Sequence, residues 1–264
     1  MRSNHDIDYK IYGEELQFVE IELDPNETAV AESGAFMMMD NGIEMQTIFG
    51  DGSQQQGGGF MGKLLSAGKR LITGESLFMT AFTNISHGKK KVSFASPYTG
   101  KIIVLDLKEL GGKVIAQKDA FLCAAKGVSI GIEFQRRLGT GIFGGEGFIM
   151  QKIEGDGIAF AHAGGYVVER ILQPGEIVKV DTGCVVAYTS GVDFDIEFVK
   201  GIKNFMFGGE GLFFATLRGP GKIWLQSLPI SRLAGRLMQY GNMGGRKEEG
   251  SLLGGLGNLM DGRE

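Results

Sequence analysis

In the stretch "VDFDIEF", apolar and acidic positions alternate without a break. Val192, Phe194, Ile196 and Phe198 fall on one face, Asp193, Asp195 and Glu197 on the other. A period of two is the pattern of a strand with one buried face. Short apolar runs bounded by glycine, asparagine or proline recur along most of the chain, and three long segments carry them in the same order: 17–49, 102–134 and 166–198. Each opens with a strand-like run and passes through a turn (Pro25-Asn26-Glu27; Gly111-Gly112; Pro174-Gly175-Glu176) into a second apolar run. A further turn, at Asn41-Gly42, Gly127 or Ser190-Gly191, leads into an alternating strand. Asn41-Gly42 is the pair expected of a type I′ hairpin, whose two central residues both need positive φ.

Behind each segment stands a glycine–glutamate turn, in "LITGESLFMTAFTN", "IFGGEGFIMQKIEGDG" and "MFGGEGLFFATLRGPG". The closing strands are "KVSFASP", "GIAFAHA" and "KIWLQSL". A unit of about six short strands cannot bury both of its faces alone, so three of them are expected to pack around a shared core. The predicted class is all-β, a pseudo-threefold barrel or sandwich. One β domain spans 1–228, with repeats at about 16–98, 99–164 and 165–228, and a helical, Gly-rich tail spans 229–264. Before the first glycine–glutamate turn the spacing is longer than in the other two copies, which places an insertion at about 52–72.

The combination of "GESLFMTAFT", "GGEGFIMQKIEG" and "GGEGLFFATLRGPG" with a Gly-rich basic insertion ahead of the first resembles the altered-inheritance-of-mitochondria protein family, from about Gln17 to Tyr240. The resemblance implies a three-repeat β fold likened to the trp RNA-binding attenuation protein, a compact relative of the double-stranded β-helix. It supplies no catalytic residues to carry over.

Helical periodicity is expected in the insertion and the tail. In "FMGKLLSAGKRLI", Phe60, Leu64, Ala67 and Leu71 form one stripe, Met61, Leu65, Gly68 and Ile72 the next, and Lys63, Lys69 and Arg70 lie at the margins. In the tail, Ile230, Leu233, Ala234 and Leu237 follow the i, i+3, i+4, i+7 rule, with Arg232 and Arg236 off the stripe. A basic amphipathic helix can cover its own core, bury its stripe against another subunit or lie on an anionic membrane surface. Phe60, Lys63, Leu64, Leu65, Lys69, Arg70, Leu71, Arg232, Leu233, Arg236 and Leu237 are therefore the candidate partner or membrane interface.

Composition narrows the classes. Glycine, at 44 of 264 residues, fits many tight turns, and a net charge of −4 from 27 basic and 31 acidic side chains argues against a nucleic-acid partner. No apolar stretch is long enough for a membrane-spanning helix, and "MRSNHDIDYK" has neither a signal-like apolar region nor the Arg-rich character of a transit peptide. Cytoplasmic placement, peripheral to a membrane if the helices bind one, is the expectation. Cys123 and Cys184 sit inside apolar runs and are expected as buried free thiols.

His5, His87 and His162 show no ligand or catalytic spacing, and no cofactor is expected. Glu75, Glu146 and Glu210 repeat with the units. Gathered on a threefold axis they would bind a cation or share protons; spread apart, they stabilise turns, so they are weak metal candidates only. Lys89-Lys90-Lys91 reads as a solvated turn, and the equivalent turns "EGDG" and "RGPG" lack the lysines an RNA-binding ring would repeat. The favoured reading is a non-enzymatic β scaffold that forms homo-oligomers and docks a protein partner or membrane surface through its helices. The alternatives are a small-ligand or cation-binding protein or enzyme with a pocket near the glutamate turns, and an oligomeric RNA binder.

Overall fold

The computed structural model describes residues 7–32, 34–49, 78–136, 148–199 and 212–243. It divides into two compact units, Met1–Pro229 and Ile230–Glu264. After a leading strand, β1 (Asp8–Tyr12), the described residues of the first unit form three sets of six strands. The first set is β2 (Phe18–Leu23), β3 (Thr28–Glu32), β4 (Phe36–Met39), β5 (Ile43–Phe49), β6 (Phe78–Asn84) and β7 (Lys90–Ala95). The second is β8 (Gly100–Asp106), β9 (Lys113–Gln117), β10 (Phe121–Ala125), β11 (Ser129–Arg136), β12 (Phe148–Glu154) and β13 (Ile158–Gly164). The third is β14 (Val167–Leu172), β15 (Ile177–Asp181), β16 (Val185–Thr189), β17 (Asp193–Val199), β18 (Leu212–Arg218) and β19 (Gly221–Gln226).

Every set pairs in one way. The first, sixth and third strands lie side by side in that order, and so do the fourth, fifth and second. The second strand of a set then pairs with the third strand of the next, β3 with β10 and β9 with β16. The described strands thus form two six-stranded sheets, β5-β6-β3-β10-β13-β8 and β11-β12-β9-β16-β19-β14, flanked by β1-β2-β7-β4 and β15-β18-β17. The class is all-β, and the described sheets are open and antiparallel rather than closed into a barrel. Even a local irregularity recurs: the third strand slips by one residue against the sixth between Phe36 and Met38, Phe121 and Cys123, and Val185 and Ala187.

Packing follows from this weave. One core cluster draws from all three sets, with Val30 and Met79 from the first, Leu105 and Val114 from the second, and Val186 and Trp224 from the third. A second centres on Ile21, Phe82, Phe94 and Phe160, and a third on Phe148, Met150, Leu172 and Ile223. Where strands of different sets meet, the buried residues are mostly small: Ala29, Ala31, Ala116, Ala124 and Ala187. From Val192 into β17 the alternation holds, with Val192 and Ile196 buried, Phe194 half-buried and Asp193, Asp195 and Glu197 exposed.

Two turns repeat to the level of the hydrogen bond. Glu27 N donates to Asp24 O at 2.9 Å, and the Glu27 carboxylate accepts from Asp24 N at 2.7 Å. Glu176 does the same to Gln173, at 2.9 and 2.8 Å. Proline at the second position presets φ, and the third position takes positive φ, 68° at Asn26 and 79° at Gly175. The Asn41-Gly42 expectation is corrected. Gly42 has φ of 99° but Asn41 is not in the left-handed region. The reason is topological: β4 and β5 belong to different sheets, so this turn rounds a corner and no primed hairpin geometry is imposed on it.

Candidate interaction surface

Of the interface candidates, Phe60, Lys63, Leu64, Leu65, Lys69, Arg70 and Leu71 lie outside the described residues, as do Glu75, Glu146 and Glu210. The remaining four sit on α1 (Ile230–Met243), the helix predicted for the tail. Its sequence, "ISRLAGRLMQYGNM", contains two arginines and no acidic residue. Arg232 and Arg236 are exposed one turn apart, Leu233 is half-buried, and Leu237 and Met238 stand open to solvent at 64% and 68%. An exposed apolar strip beside two guanidinium groups can take up an apolar or anionic surface.

A second apolar surface was not foreseen. All four residues of β4 are exposed, Phe36 at 40%, Met37 at 48%, Met38 at 46% and Met39 at 38%. The corresponding strand of the second set, β10, is buried throughout, and β16 is buried except at Thr189. Likewise β15 has no fully buried residue and leaves Ile177 at 49%, whereas β3 and β9 are buried at four positions of five. "FMMM" reads as core to any hydropathy argument, because its counterparts "FLCAA" and "VVAYT" are core. Only the sheet order shows that it ends its sheet among the described strands.

Burial shifts several titratable groups inside the β unit. His162 is buried, its Nε2–H donates to the Tyr98 carbonyl at 3.0 Å, and the two rings meet edge to face at 4.4 Å. Burial lowers its pKa to about 4, so the ring is neutral. Burial also raises the Tyr98 phenol to about 12. Desolvation, with repulsion from Asp119 behind it, raises Glu32 to about 7. Cys123 is a buried free thiol with its pKa pushed up by burial, while Cys184 is only half-buried. Among the described residues no group of three His, Cys, Asp or Glu side chains is arranged to hold a metal ion.

Two lysines of the run Lys89-Lys90-Lys91 pair with acids. Lys89 reaches Glu22, Asp8 and Asp24, and Lys91 lies 2.8 Å from Glu20. Trp224 is buried with its Nε1–H on Glu169 at 2.9 Å, and Lys222 bridges the same carboxylate at 2.8 Å. No described helix is long and apolar enough to cross a membrane.

The family described as mitochondrial biogenesis AIM24 matches residues 9–228. An uncharacterised protein of Streptococcus pyogenes serotype M6 is 31% identical over 231 residues, covering 85% of this chain and 88% of that protein. An X-ray structure of a Streptococcus pyogenes protein superimposes with a TM-score of 0.68 at 26% identity, covering 89% of this chain and 99% of the other.

Proposed function

The chain belongs to the AIM24 family, and on that premise we propose that it is a non-enzymatic β scaffold that self-associates and docks a protein partner or membrane surface through basic amphipathic helices. What carries the reading is the place of the unburied apolar side chains. They run along β4 and along α1 beside Arg232 and Arg236. Burying one such side chain is worth roughly 1.5–3 kcal/mol, so either surface could hold a partner firmly.

Sedimentation of the full chain over a range of concentrations tests self-association, and a chain that stays monomeric throughout would refute it. Flotation with vesicles of phosphatidylcholine alone and with added phosphatidylserine tests the helix. Membrane docking requires binding that depends on the anionic lipid, weakens with salt and is lost in the Arg232→Gln/Arg236→Gln variant. Binding to neither vesicle would refute the membrane arm of the reading. The cation-site reading rests on Glu75, Glu146 and Glu210 alone, and no described residue adds to it.

A further inference from the structure

Two junctions inside the chain are built alike. Along β3 and β10, Ala31 lies opposite Cys123, Val30 opposite Ala124 and Ala29 opposite Ala125. Along β9 and β16, Ala116 lies opposite Ala187, Ile115 opposite Tyr188 and Val114 opposite Thr189. Each junction joins the second strand of one set to the third strand of the next. Three sets in a row make two such junctions and leave over one second strand, β15, and one third strand, β4. These two end separate sheets, and they are the strands whose exposure contrasts with that of their counterparts.

Their backbones are prepared for the same bond. In an antiparallel ladder, successive residues aim their N–H and C=O alternately at the two neighbouring strands. Asp40 N donates to Lys91 O at 2.9 Å, toward β7, so Met39 aims its own pair the other way. Glu176 O accepts from Gly219 N at 2.9 Å, at the β18 side. By the same alternation Val178 and Val180 face β18, while Ile177 and Lys179 face outward. At the first internal junction the corresponding groups are in use: Lys126 N donates to Thr28 O at 3.0 Å. Thr28 holds the position of Ile177, and Lys126 that of Asn41.

We propose that β15 of one copy pairs antiparallel with β4 of a second copy, repeating between chains the junction that β3–β10 and β9–β16 form within one. The shared slip in the third strand aligns Met38 with Cys123 and Ala187, and Val180 is the fourth residue of its strand, as Ala31 and Ala116 are of theirs. The register is therefore Met38 opposite Val180, Met39 opposite Lys179 and Asp40 opposite Val178. The contact is head-to-tail: a pair of copies leaves one β4 and one β15 edge open, so that further copies close the assembly into a ring or extend it as a filament according to the rotation per copy. Like the preceding reading it requires self-association, but it further commits to the surface and the register.

The test uses the full chain with one edge blocked at a time. Proline at Met39 or at Lys179 removes an N–H that faces outward and none that β7 or β18 uses. Met39→Pro and Lys179→Pro should each lose the oligomer in sedimentation velocity while keeping the circular dichroism of the β fold. Mixed in equal amounts, they should form a heterodimer, because each retains the edge the other lacks. An unfolded proline variant is replaced by its milder equivalent. Met39→Lys keeps every backbone group but sets an ammonium opposite Lys179 and should weaken assembly, whereas Met39→Glu should preserve it. Oligomers that survive in Lys179→Pro alone would mean β4-to-β4 pairing and would overturn the proposal. Oligomers indifferent to all four substitutions would overturn it too, leaving self-association itself intact. A monomeric wild-type chain would end both readings.

Discussion

Asn84 shows how much one side chain can organise. It is fully buried at the end of β6. Its Nδ2 donates to Leu23 O at 2.9 Å and Gly88 O at 2.8 Å, and its Oδ1 accepts from Ser86 N at 2.9 Å and Ser86 Oγ at 2.7 Å. Asn84→Ala strands these partners beneath the β6–β7 hairpin and should cost about 2–4 kcal/mol in urea unfolding. Glu32 and His162 set opposing pH limbs. The Glu32 carboxyl is raised from 4.5 to about 7, so the folded state holds a proton the unfolded state has lost, and stability falls as pH rises through that interval. His162, lowered from 6.5 to about 4, gives stability that is present above 6.5 and is lost as pH falls toward 4. Glu32→Gln should remove the upper limb, raising stability at pH 8 by about 1–2 kcal/mol with no gain at pH 4, as read by thermal melts across pH. The sequence offered no warning of either group. Glu32 looks like any strand-end glutamate until the fold takes it out of water, with the charge of Asp119 adding to the effect, and His162 occupies the place that Gln226 holds in the third set, where the amide instead bonds Gly164 and Gly183.

At the scale of elements, the period-two pattern and the turn residues told most of the story, because both are local. The Pro-x-Glu turns at Asp24–Glu27 and Gln173–Glu176 close as their composition requires. What failed was Asn41-Gly42, where the next strand goes to another sheet; the exposure of "FMMM" depends on a neighbour that the local pattern cannot name. Close backbone approach is equally non-local. Gly164 pairs with Gly100 at the end of β13, and a Cβ there would stand 2.0 Å from Leu228 O and 2.6 Å from the Tyr98 ring. Gly164→Ala should therefore displace backbone and lower the melting temperature by several degrees, whereas Gly111→Asn, at a left-handed position with nothing within 4 Å, should be tolerated. The helix was legible from its stripe alone. Leu237→Asp should abolish docking by α1 without moving the melting temperature of the β unit, since Leu237 is exposed.

For the whole molecule, the repeat pattern made the order of sets readable, but not how the sets are stitched together. Each set gives three strands to one sheet and three to another, so both six-stranded sheets are half one set and half the next. The cluster containing Val30, Leu105 and Trp224 exists only when all three sets are present. Folding is therefore expected to be a property of the β unit and not of a single set. A fragment of residues 1–98 would leave β3 without β10 and expose Ala29, Val30 and Ala31, which are buried in the intact chain. Unpaired apolar edges of that kind aggregate. The fragment should fail to give a cooperative melt, whereas residues 1–229, a compact unit in their own right, should melt in one transition with Trp224 still buried and its fluorescence unshifted. A cooperative transition in the 1–98 fragment would show that a set is self-sufficient, and the shared core would then add stability without deciding the fold.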